Sequence, residues 1–297
     1  MDNKFVQKYN ENIQHNLVVK KYLCFYNLFF INRIINKTMT KKITIFSFFI
    51  SITSFLTINA QVQDDKPIFH YSIMDAMRNG VYTGDLTIKT LASKGNFGLG
   101  TYNYLDGEMI ALDGIFYRIA PNGQVTKAES ERMVPFASVA FFKADISYEI
   151  TGSKTIELLQ QEIISKLPSA NKPYAVRIEC TFESITVGGA EKLDDKNTTG
   201  LAELMKTRPL YKRERISGTM IGFYNPPSFA AIDLSPFHFH FLSDDRTFGG
   251  HLVVGELSSV KIKISIDENS GYEIILPQKN KTFDKPWPQQ SDIKSSY

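Results

Sequence analysis

Three of the chain's histidines fall within fourteen residues: Phe237-His238-Phe239-His240-Phe241, then Gly249-Gly250-His251. On a strand, side chains alternate faces, so His238 and His240 point the same way, roughly 7 Å apart from the rise per residue. Phe237, Phe239 and Phe241 point the other way, into apolar packing. Residues 242–250, with Ser243-Asp244-Asp245 and Gly249-Gly250, form a long turn that returns the chain beside the first strand and sets His251 near the same face. Two imidazoles so spaced chelate one ion, and His251 completes three nitrogen ligands. Three histidines with a fourth position open is the arrangement of a catalytic zinc, whereas a structural zinc is closed by four protein ligands. Imidazole also suits copper, iron and nickel.

The other chemistry-bearing groups are sparse. Leu105-Asp106-Gly107-Glu108-Met109-Ile110 places one acid in a tight turn and the next, Glu108, at the head of an apolar strand. A carboxylate desolvated there has a raised pKa, which suits proton transfer near neutral pH. His70, far away in sequence, reads as structural. Cys24 and Cys180 are the two cysteines, and Cys180 reads as a small buried apolar residue. There is no Gly-x-Ser-x-Gly elbow, phosphate loop or dinucleotide fingerprint. Gly95-Asn96-Phe97-Gly98-Leu99-Gly100 is glycine-rich but lacks the helix a nucleotide site needs.

The elements that must position these groups are mostly strands. Residues 108–119, 137–143, 174–187, 218–224, 237–242, 251–257, 260–266 and 272–276 are β-rich and bounded by Gly, Pro, Asn or Asp. Helices are expected at 86–92 with Asp85 as cap, at 154–167 ended by Pro168, and at 200–206 started from Thr198 or Thr199. The sum is an α+β fold dominated by sheet: two β-rich halves, 61–168 and 169–277, a few short helices, and the zinc site on strands of the C-terminal half. Residues 278–297 lose periodicity and read as a flexible tail.

The N-terminus reads differently. From Met39, Lys41-Lys42 precede an uncharged apolar stretch, 43–58, and Ala60 offers a cleavage point. That is a signal peptide over 39–60, with an apolar core shorter than a membrane span. Residues 1–38 then read as an extension from a start codon set too early, with Met39 the first residue. Export, periplasmic or secreted, is expected, with no stable membrane anchor after cleavage. The 297 residues carry 34 basic and 31 acidic side chains, a net +3. Residues 1–60 hold eight of the former and two of the latter, so the remainder is −3 and no nucleic acid partner is implied.

Laid end to end, these pieces resemble the α-acetolactate decarboxylase family. The marks are Gly100-Thr101 with Leu105-Asp106-Gly107-Glu108, then Pro135-Phe136-Ala137-Ser138-Val139, then Gly218-Thr219-Met220-Ile221-Gly222-Phe223. The most specific is Phe237 to Arg246 through Gly249-Gly250-His251. The resemblance implies a carbon–carbon lyase that decarboxylates 2-acetolactate, a small 2-hydroxy-3-oxo acid, to acetoin. It implies one zinc on His238, His240 and His251, chelated by the substrate's hydroxyl and keto oxygens and acting as a Lewis acid. Glu108 matches the family's active-site Glu, the proton donor, and Thr101 a Thr beside the site. A homodimer is left open.

Two positions depart from the family. Its active-site Arg, which holds the substrate carboxylate, is Gly188 here, and Lys192, Arg177, Arg208 and Arg246 are the cations that could replace it. The Glu that the family brings back from its C-terminal tail has no counterpart after Pro277. A zinc-binding homologue that has lost this reaction, acting as a ligand-binding protein or a zinc hydrolase, is therefore the alternative reading.

Overall fold

Residues 108–119 read as one strand, but Asp113 and Gly114 both take positive φ, 53° and 79°. This is the backbone of a two-residue hairpin turn, which Asp-Gly adopts readily. The segment therefore folds back on itself as two antiparallel strands. The structure, a computed structural model, describes residues 67–258 and 260–287. The N-terminal extension 1–38, the signal peptide 39–60 and tail residues 288–297 lie outside the described residues.

In chain order the first elements are β1 (Ile68–Tyr71), α1 (Met74–Arg78), β2 (Leu86–Thr87), α2 (Ile88–Ala92), β3 (Phe97–Thr101), β4 (Glu108–Leu112) and β5 (Ile115–Ile119). There follow β6 (Val125–Lys127), β7 (Met133–Val134), β8 (Phe136–Ala140), β9 (Ile146–Ile150), β10 (Lys154–Thr155) and α3 (Ile156–Lys166). The rest is β11 (Tyr174–Gly188), α4 (Leu201–Leu204), β12 (Leu210–Tyr224), β13 (Phe237–Ser243), β14 (Gly249–Leu257), β15 (Ile262–Glu268) and β16 (Tyr272–Ile275). No helix among the described residues is long and apolar enough to cross a membrane.

Two of the expected helices, α2 and α3, start later than expected because threonines cap them. Thr87 Oγ1 accepts from Thr90 N–H and Thr155 Oγ1 from Leu158 N–H, each satisfying a first-turn donor. Asp85, the expected cap, instead accepts the Tyr71 hydroxyl. Helix α4 begins at Leu201 with Gly200 as cap and tightens into a 3₁₀ turn over Met205–Thr207 before Pro209. Residues 278–287, read as part of the tail, include Asn280, whose Nδ2 donates to the Thr83 carbonyl at 2.8 Å.

Two seven-stranded sheets result, in the orders β16-β1-β8-β3-β4-β5-β6 and β10-β14-β13-β12-β11-β15-β9. Sheet membership does not follow the break at 168: β9 and β10 join the second sheet, and β16 returns to pair in parallel with β1 in the first. Phe97, Leu99, Ile110 and Ile119 of the first sheet pack against Ala175, Ile221, Phe223 and Leu242 of the second. The opposite face of the second sheet carries Phe239, Phe241, Phe182 and Ile178 and is covered by α3 through Ile156, Leu159 and Ile163. Cys180 is buried and free, as expected of an apolar filler. The outer face of the first sheet is closed by α2 through Ile88 and Leu91.

Candidate metal centre and its cavity

Alternation along β13 places Phe239 and Phe241 in the core beneath α3 and turns His238 and His240 toward the first sheet. The turn after Ser243 brings β14 back antiparallel, in a register that sets His251 directly opposite His240. Gly250, at φ 146°, permits this: a Cβ there would stand 3.0 Å from the Gly188 carbonyl oxygen. The three imidazole centroids form a near-equilateral triangle of 5.2, 5.1 and 5.3 Å. Their ligand nitrogens all lie within 4.8 Å of one another.

The rings are held from behind. His238 Nδ1 meets Asp233 Oδ1 at 2.8 Å, and His240 Nδ1 meets the Met109 carbonyl oxygen at 3.0 Å. An Nδ1 fixed to an acceptor carries the proton, which leaves Nε2 as the free lone pair for a metal. Asp233 is buried, and burial alone would raise its pKa; the charge and hydrogen bond of His238, aided by His70, hold it well below the usual carboxylate range. His70, expected to be structural, sits fully buried with Nε2 3.6 Å from Asp233 Oδ2. Burial, the neighbouring histidines and, at His251, Arg208 keep His240 and His251 neutral; His251 is pushed down to about 3. Neutral imidazoles converging on one point are the ligand set of a divalent transition metal.

Glu108 enters from the facing sheet. Its Oε2 lies 3.5 Å from His240 Nε2, and burial pushes its carboxyl up to about 8 against the opposing charge of Arg208. Thr101 pairs with Glu108 across β3 and β4, and its hydroxyl donates to the Gly107 carbonyl at 2.9 Å, pinning the turn that leads into Glu108. Both line a cavity of about 180 Å³ with the three histidines; its walls include Met74, Met77, Leu105, Phe136 and Leu234. The structure thus brings together all five residues picked from the sequence.

The family model for alpha-acetolactate decarboxylase matches residues 68–286, nearly everything the structure describes. The chain belongs to that family. It is 36% identical over 206 residues to the alpha-acetolactate decarboxylase of Bacillus subtilis, covering 68% of this chain and 80% of that one. With the Bacillus licheniformis enzyme the figures are 34% over 198 residues, 67% and 78%. The crystal structure of acetolactate decarboxylase from Bacillus subtilis subspecies spizizenii superposes with a TM-score of 0.70 at 33% identity, covering 73% of this chain and 92% of that one. A Staphylococcus aureus protein of unknown function, described as similar to alpha-acetolactate decarboxylase, gives 0.71 at 27% identity, with 76% and 95% covered. Membership supports acetolactate-decarboxylase-type chemistry.

Sequence reading passed over Asp233, the Met109 carbonyl and Gly189 at this site. Asp233 left one trace, a lone acid inside Phe229-Ala230-Ala231-Ile232-Asp233-Leu234 just ahead of the histidine motif. The Met109 carbonyl left none, because a backbone acceptor has no sequence signature. Gly188 lies opposite His251 on β11, but it is the next residue, Gly189, whose Cβ would face Glu108, 3.6 Å from Oε1.

Proposed function

We propose that the protein converts 2-acetolactate into acetoin and CO₂ with one zinc ion held by His238, His240 and His251. The observation that carries this reading is the meeting of three convergent imidazoles with a largely buried carboxyl in one small cavity. The donor set fits zinc, since His238 and His240 are already oriented by Asp233 and Met109 and need no rearrangement to ligate. A bound zinc supplies Lewis acidity that makes the substrate's keto oxygen a better electron sink.

The carboxylate of 2-acetolactate is β to a ketone. The electron pair of the breaking carbon–carbon bond therefore passes into that carbonyl as CO₂ departs, and the carbon left behind takes a proton. Glu108, whose burial raises its carboxyl to about 8 in the metal-free site, faces the histidine centre and is the group placed to donate to that carbon. One bulk proton is consumed for each CO₂ released, which restores the carboxyl. Thr101 keeps the turn before Glu108 in place, and the apolar walls keep the carboxyl neutral by excluding water. Lys41-Lys42, the apolar run 43–58 and Ala60 support an exported location for this reaction.

Zinc-loaded protein given racemic 2-acetolactate should release acetoin and CO₂, stop when a chelator is added and resume when zinc is restored. No acetoin from a folded, zinc-occupied protein would overturn the reading.

A further inference from the structure

Four cations were left open by the sequence as partners for an anionic ligand, and the structure commits three of them elsewhere. Lys192 Nζ lies 3.5 Å from Asp106 Oδ2, a carboxylate that also binds Arg118 and Arg132. Arg177 is held by Asp113 at 2.7 Å and Glu179 at 3.1 Å. Arg246 donates to the Ser243 carbonyl and lies over the Tyr117 ring. Arg208 alone of the four lines the histidine cavity. No carboxylate pairs with it among the described residues, and the hydrogen bond it does make, 3.8 Å to Met205 Sδ, goes to a weak acceptor. A half-buried guanidinium beside Leu201 and Met205 has donors in a planar fork that a carboxylate would satisfy two at a time.

Gly188 and Gly189 explain how Arg208 reaches this place. Leu210 pairs with Gly188 at the end of β11, and Gly189 N–H donates to the Pro209 carbonyl at 3.4 Å. A Cβ on Gly188 would stand 3.0 Å from Leu210 Cδ2 and 3.3 Å from the Pro209 oxygen, so the bare backbone lets the Arg208-Pro209 segment come close. Pro209 in turn restricts Arg208 to an extended backbone, observed at φ −60° and ψ 146°. The charge of Arg208 reaches both Glu108 and His251.

We propose that Arg208 binds the carboxylate of the substrate in this cavity, arriving from the chain segment that crosses Gly188 rather than from the strand position itself. The identity of that substrate rests on the decarboxylase reading. The demand for an anion rests on Arg208's place in the cavity.

The test uses the zinc-loaded full chain and two stable probes. One is 2,3-dihydroxy-2-methylbutanoate, which keeps the carboxylate and adjacent oxygens but has no ketone and cannot decarboxylate. The other is 2,3-butanediol, the same skeleton without the carboxylate. Arg208→Ala should weaken calorimetric binding of the acid about tenfold or more, the scale of a lost charge-assisted hydrogen bond, and raise KM for 2-acetolactate. Zinc content and affinity for the diol should not change, and Arg208→Lys should recover part of the loss. An Arg208→Ala protein with unchanged acid affinity and KM would overturn the anchor while leaving the decarboxylase reading intact. A wild-type protein that is inert toward 2-acetolactate but binds the acid through Arg208 would overturn the reaction and keep the anchor.

Discussion

His238 Nδ1 lies 2.8 Å from Asp233 Oδ1, and the other oxygen of the same carboxylate accepts from Ser138 Oγ at 2.9 Å. One buried acid thus ties a metal-facing imidazole to β8 of the opposite sheet. Asp233→Asn removes the charge that favours the Nδ1–H form while keeping the side chain's shape. Zinc affinity, read by competition with a chelator, should fall about 10–100-fold, as for other outer partners of metal-bound histidine. Unchanged affinity would show that Asp233 serves packing alone.

Glu108→Gln keeps the volume and a hydrogen-bond donor but cannot release a proton. The variant should bind zinc with wild-type stoichiometry and lose turnover by about 10²–10⁴, the usual contribution of a general acid. Full turnover in this variant would exclude Glu108 as the donor.

The raised Glu108 carboxyl also predicts a stability profile for the zinc-free protein. Its pKa is about 8 when folded against an ordinary 4.5, so the folded form binds the proton more tightly. The associated stability is complete below pH 4.5 and is lost as pH rises toward 8, at up to about 1.4 kcal/mol per pH unit. Urea midpoints of wild-type and Glu108→Gln protein should converge near pH 4.5 and separate toward pH 8, with the variant the more stable. His251, depressed to about 3, acts on the acid side in both proteins: its unfolded imidazole takes a proton below about 6.5 that the folded site refuses, so stability falls as pH falls. Parallel curves from pH 5 to 8 would rule out the raised carboxyl.

Gly188→Arg would supply the side chain that the resemblance implies at that position, in a tight space. Its Cβ would stand 3.0 Å from Leu210 Cδ2 and 3.3 Å from the Pro209 carbonyl oxygen, crowding the segment that carries Arg208. The expected result is a higher KM for 2-acetolactate at unchanged zinc content, measured by steady-state kinetics. A lower KM would mean that the cavity accepts a second guanidinium.

How much of this was legible in the sequence depended on whether the signal was local. The His238-x-His240 spacing and the glycine-rich return to His251 are local, and β13 and β14 follow them. Asp113-Gly114 is also a local hairpin signal, but the apolar run on both sides hid it within one long strand. β3 was missed because Gly98 and Gly100 dilute its apolar pattern; there the backbone of β8 passes so close that a Cβ on Gly100 would lie 2.4 Å from the Phe136 carbonyl. Arg208 could be named but not chosen from sequence, since what singles it out is its place in the cavity wall while the other three cations are engaged elsewhere.

β1 and β16 lie side by side in parallel, Ile68 opposite Tyr272 and Tyr71 opposite Ile275, at the two ends of the described chain. A ribosome delivers the first of these strands long before the second. Until about 200 intervening residues have been made, β1 has a neighbour on one flank only, and closing so long a loop is entropically slow. The first sheet, which carries Glu108, thus gains its final strand last, and a nascent chain halted after β15 would hold all three histidines while β1 still offered an open edge.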